Sequence, residues 1–103
     1  MSGNKNEVMD ELKSLTTIIS RDFEIEDLLS EALLRERLVQ AFAYLLDNDI
    51  SKMMNILYRT DVNEDKLKKL LISNSELPSA EVIADAYLAR QKEKIETRKK
   101  YSR

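Results

Sequence analysis

One glycine (Gly3) and one proline (Pro78) in 103 residues constrain this chain more than any motif in it. Sandwiches and barrels need tight turns every few residues, and such turns draw on glycine. A chain with almost none is left with helices joined by short polar connections. Leu, Glu, Lys, Ala, Ile and Arg dominate the remaining positions, and most of these are strong helix formers. Apolar residues make up 43% and charged residues 35%, the balance of a globular chain rather than a disordered one. The sequence therefore predicts an all-α fold, a compact bundle of four to five helices. A single helical domain is expected over 1–90, followed by a charged helical extension or tail over 91–103.

Val8, Leu12, Leu15 and Ile19 recur at spacings of four, three and four, which predicts a first helix over about 6–20. Asp22 and Glu26 occupy the continuation of that stripe and end it. The stretch "SRDFEIEDLLSE" then sets five acids against the single base Arg21. Acids favour the positive end of a helix dipole, so a second helix is expected to begin there and run to about Leu46. Ile25, Leu28, Leu29 and Ala32 line one face of its first half. Leu34, Leu38, Ala41 and Leu45 project to the opposite side, with Val39, Phe42, Ala43 and Leu46 between them. So wide an apolar arc predicts a long, mostly buried second helix. It is covered either by the other helices, as a central post, or in part by a second subunit.

Cap chemistry marks the later elements. Asp49 is the expected N-cap of a third helix with Ile50, Met53, Met54 and Leu57 on its apolar face and Tyr58 at the edge. One of the two adjacent methionines must point partly outward. Asn63 is the expected cap of a fourth helix, with Glu64 and Asp65 at its positive end, Val62 against Leu67, and Leu70 and Leu71 buried. Residues 73–79 read as a loop, with Ser75 or Ser79 capping the last helix. Val82, Ile83, Ala86 and Tyr87 supply that helix's core face. The face is expected to end after Ala89, where Arg90, Glu93 and Lys94 take the same positions.

Without cysteine or histidine, the chain cannot build disulfides, thiolate metal sites, cysteine nucleophiles or histidine acid–base pairs. Asp61, Asn63 and Asp65 imitate the opening of a calcium loop. Lys66 stands where that loop needs glycine, and Ile72 where it needs a bidentate glutamate. Helix capping accounts for the same residues. The third and fourth helices resemble a helix-turn-helix in order, but Glu64 and Asp65 would face the phosphates. No glycine-rich loop exists to cradle a phosphate. The longest nearly apolar run, Leu38 to Leu46, is interrupted by Gln40 and is short for a bilayer. The expectation is a cytoplasmic protein without catalytic residues, cofactor, metal, membrane contact or small-molecule substrate.

The charge is segregated. Residues 90–103 carry +5 and residues 1–89 carry −7. Such a basic end can be a solvated helix extension, a contact for nucleic-acid phosphates, or a contact for an acidic protein surface. The run from Asp22 to Glu31 is one such surface, within the chain or on a neighbouring copy. Leu88 and Ile95 give the emerging helix a small apolar seam that solvation does not need. These features predict a projecting basic C-terminal helix and a non-catalytic interaction protein, an adaptor or regulator that forms a homodimer or meets another protein. Its candidate contacts are Leu34, Leu38, Leu45, Leu88, Ile95, Arg98, Lys99 and Lys100. Association with nucleic acid through the basic tail is the alternative.

Overall fold

A computed structural model describes residues 12–23 and 30–101, with side chains described up to residue 97. Among the described residues the fold is all-α: α1 (12–19), α2 (Glu31–Asn48), α3 (Ile50–Arg59), α4 (Glu64–Ser73) and α5 (Ser79–Tyr101) form a helical bundle. Val8, Ile25, Leu28 and Leu29 lie outside the described residues.

Three side-chain caps set the helix starts. Ser30, extended at φ −150° and ψ 155°, accepts from the Leu33 amide and opens α2. Asp49 accepts from Lys52 N–H at 3.1 Å, and Asn63 accepts from Lys66 N–H at 2.9 Å. The last two are the caps that the sequence predicts. The start of α2 differs from expectation. After α1 the chain turns, with the Asp22 and Phe23 amides both donating to the Ile19 carbonyl. The carboxylate of Asp22 is held by distant side chains, described below, rather than by a helix N-terminus. Ala32, expected in the core, is exposed. The start of α5 also differs. Ser79 is its first helical residue, and the Pro78 carbonyl accepts from the Glu81 and Val82 amides. Proline has no N–H to lose at that position, so it can end the loop and open the helix together.

Leu34, Leu38, Phe42 and Leu45 form the buried stripe of α2, spaced by four, four and three. α5 and α3 are its main neighbours, and α4 packs on α5. Leu15 and Ile19 of α1 join the same core. Burying one such side chain contributes about 1.5–3 kcal/mol, so this stripe supplies much of the bundle's cohesion. Of the two ways to cover the apolar arc of α2, this stripe uses the chain's own helices.

The inner face of α5 does not stop at Ala89. Ala80, Ala84, Tyr87, Gln91 and Ile95 continue it, with Ile83 and Leu88 alongside, all buried. The stripe passes through a polar residue, Gln91, whose side chain is fully buried. Arg90, Glu93 and Lys94 flank the stripe instead of replacing it. α5 runs unbroken past residue 90.

Candidate interaction surface

Leu34 and Leu38 are 0% exposed, Leu45 6%, Leu88 5% and Ile95 4%. The five apolar residues expected to meet a partner therefore lie inside the chain's own core. This corrects their assignment as surface contacts. The physical reason is the crossing of α2 with α5, which periodicity within either helix cannot reveal. Arg98, Lys99 and Lys100 lie on the helical backbone of α5, and their side chains are outside the described residues.

The basic half of α5 meets acids of the same chain. Lys92 pairs with Glu31. Arg90 donates through Nε to the Asp61 carbonyl at 3.0 Å, and its other nitrogens reach the Asp61 and Glu93 carboxylates. At the front of the acidic run, Asp22 accepts from the Tyr87 hydroxyl at 3.0 Å and from Arg59 at 3.0 Å. The carboxylate side chain is only 5% exposed. Burial, then the neighbouring Asp22 charge, push the Tyr87 phenol above its ordinary value. Lys94 is pulled below the usual lysine value, first by desolvation and then by Arg90. Both ends of the acidic run, Asp22 and Glu31, are thus tied to α5 internally.

A second clamp joins α2 to α5. Arg35 donates to both carboxylate oxygens of Asp85, at 2.6 and 3.1 Å, and to Glu81 at 3.4 Å. These hydrogen bonds, led by Asp85, raise the Arg35 pKa further, so the group stays a cation throughout. Two-point guanidinium–carboxylate geometry orients the helices as well as attracting them.

Among the described residues, large apolar side chains are exposed singly at Leu33 and Tyr44 of α2, Ile72 of α4 and Leu77 of the following loop, and three more share α3. Met53, Ile56 and Leu57 point inward, whereas Ile50 is 56%, Met54 44% and Tyr58 86% exposed. The methionine pair splits as predicted, one in and one out. Ile50 was expected in the core and is not. Ile50, Met54 and Tyr58 recur at every fourth position, so they form one outward ridge about 12 Å long. Beside it, between α3 and α4, lies a recess of about 200 Å³ lined by Met54, Leu57, Tyr58, Val62 and Leu67, together with Asn55 and Glu64. Exposed methionine and tyrosine beside an apolar recess are the materials of a protein contact, because methionine adapts its shape and tyrosine buries much area at little entropic cost. A spacing of four among Ile50, Met54 and Tyr58 was the available sequence signal.

A larger cleft of about 350 Å³ lies between α4 and α5, where Leu67, Leu70 and Ala86 are joined by Asp61, Lys66, Arg90 and Glu93. Arg90 is already engaged there by both acids. Asp61, Asn63 and Asp65 do not converge: Asn63 caps α4, and Asp61 takes the left-handed backbone at φ 66°. Among the described residues no group of three or more acids is placed to hold a metal ion. No described helix is long and apolar enough to cross a membrane. In comparisons with known proteins, no family model, no curated protein and no solved structure matches the chain.

Proposed function

We propose that the chain is a small non-catalytic interaction protein, an adaptor or regulator, whose α3 ridge pairs with α3 of a second copy. The observation that carries this reading is the ridge itself, with Ile50, Met54 and Tyr58 exposed on one face while Met53, Ile56 and Leu57 are committed to the core. The ridge is evenly spaced about Met54, as a two-fold interface requires of a patch that must match itself. In an antiparallel pair, Met54 meets Met54, and Ile50 of each copy meets Tyr58 of the other. The two helix dipoles then oppose favourably. Self-association is retained from the sequence reading, and its surface moves from α2 to α3. A cytoplasmic setting belongs to the same reading, since a cysteine-free chain gains nothing from an oxidising compartment.

Light scattering on the full chain tests it. The expected result is a dimer that Met54→Glu converts to a monomer with unchanged helical circular dichroism. Leu34→Asp, placed in the core, is expected to unfold the chain rather than dissociate it. A full-length chain that stays monomeric at the highest soluble concentration overturns the self-association, as does a dimer indifferent to Met54→Glu.

A further inference from the structure

Asp61 follows α3 with a φ of 66°, and among the described residues no other φ is positive. The Asp61 amide donates to the Tyr58 carbonyl at 3.2 Å, and the Val62 amide to the Leu57 carbonyl at 3.0 Å. Helices commonly stop in this pattern, but with glycine at the left-handed position, because a Cβ crowds the backbone there. Aspartate bears a cost that glycine would not. A contact from outside the turn offsets it.

That contact is Arg90 of α5. Its Nε donates to the Asp61 carbonyl at 3.0 Å, and a terminal nitrogen reaches the Asp61 carboxylate at 3.3 Å. Beyond this clamp, few side chains among the described residues secure the helix that follows. Leu67 is the one buried residue of α4; Leu70 and Leu71 are half-buried and Ile72 is exposed. Cavities flank α4 on two sides, the cleft of about 350 Å³ towards α5 and the recess of about 200 Å³ towards α3. Val62 and Leu67 line both, so these two side chains form the partition between them. A wall with space on either face forgoes the contacts that would fix it in one place.

We infer that α4 is a hinged lid, swinging about Asp61 while α2, α3 and α5 keep their packing, and that Arg90 is its latch. When Arg90 lets go, Asp61 relaxes from the left-handed region to one that its Cβ prefers, and α4 turns with it. The swing carries Val62 and Leu67 away and joins the two cavities into one open trough. Met54 and Tyr58 border that trough, so the lid controls the flank of the α3 ridge. This last step rests on the pairing proposed above. The hinge itself does not, and its opening can be measured whatever the oligomeric state.

Amide hydrogen exchange on the full chain, resolved by residue, provides the test. The amides of Lys68, Leu70 and Leu71 are expected to exchange faster than those of Leu38, Phe42, Ile83 and Tyr87. Arg90→Met removes the latch and is expected to accelerate α4 by about tenfold, with a smaller effect on α2 and α5. A pair of substitutions at the hinge isolates the backbone cost. Asp61→Ala and Asp61→Gly both lose the carboxylate, but only the first keeps a Cβ. Exchange in α4 is expected to be about tenfold faster in Asp61→Ala than in Asp61→Gly. This comparison gives a readout should Arg90→Met fail to fold. Exchange of α4 in step with α2 and α5 in the unaltered chain overturns the inference. So does Arg90→Met accelerating all helices equally, or equal α4 exchange in the two Asp61 variants.

Discussion

The Tyr87 hydroxyl donates to Oδ2 of Asp22 at 3.0 Å across 65 residues of sequence, and Arg59 holds the other carboxylate oxygen at 3.0 Å. One carboxylate therefore joins the turn after α1 to the end of α3 and the middle of α5. Around it, Phe23, Phe42 and Tyr87 pack edge to face in a closed trio.

Tyr87→Phe separates the hydroxyl from the ring. The aromatic trio survives, but a nearly buried carboxylate loses a donor. The expected loss of stability is about 1–3 kcal/mol, near the upper part of the range for hydrogen bonds because the acceptor is charged. Urea denaturation followed by circular dichroism measures it. A loss no larger than that of a typical exposed substitution would mean that Asp22 relies on Arg59 alone.

Alkaline pH reports on the same contact. The Tyr87 pKa is raised above its ordinary 10.0, chiefly by burial. Its contribution is complete below that value. As pH rises through it, the unfolded chain ionises first, and stability falls. Lys94 acts oppositely, because its pKa is lowered from 10.5 and the folded chain releases that proton first. Tyr87→Phe removes only the first effect. Between about pH 9 and 11 the unaltered chain is expected to lose more stability than the variant. Equal slopes for the two would rule out Tyr87 as the source.

Truncation distinguishes a tail from a core element. A chain ending at Ala89 loses Gln91 and Ile95 from the packed face of α5, and with them the Lys92–Glu31 pair. It is expected to lose about 3 kcal/mol or more, enough to leave a small domain marginal. A chain ending at Thr97 keeps every buried residue of α5 among those described and is expected to melt within a few degrees of the full chain. Thermal unfolding of the two decides it; similar melting temperatures would place the boundary of the packed core before Gln91.

The helix caps Asp49 and Asn63 were legible because capping is a local rule, in which the side chain and the amide it serves lie three residues apart. Ser30 obeys the same rule but stood unnoticed behind five acids that suited a helix start equally well. Gln91 concealed the continuation of the α5 core, since a polar residue interrupts any reading based on apolar spacing alone. On α3 the difficulty is different. Ile50, Met53, Met54, Leu57 and Tyr58 span one broad apolar arc, and the sequence sets its width. Which half of that arc is covered depends on where α2 and α4 arrive. For the same reason Leu34 and Leu38, read as covered either by the chain's own helices or by a second subunit, and Leu88 and Ile95, read as a seam on the emerging helix, proved to be parts of one interior.

α5 continues as an unbroken 23-residue helix to Tyr101, about 9 Å beyond Ile95, the last buried residue among those described. Mechanically it is a rod gripped along its length as far as Ile95. Tension applied at Tyr101 would run along the rod's axis and load the Arg35–Asp85 clamp and the neighbouring side-chain packing together, in shear. A sideways push at Tyr101 would instead lever against the packing around Ile95. A protein handled by this end should resist pulling far better than prying.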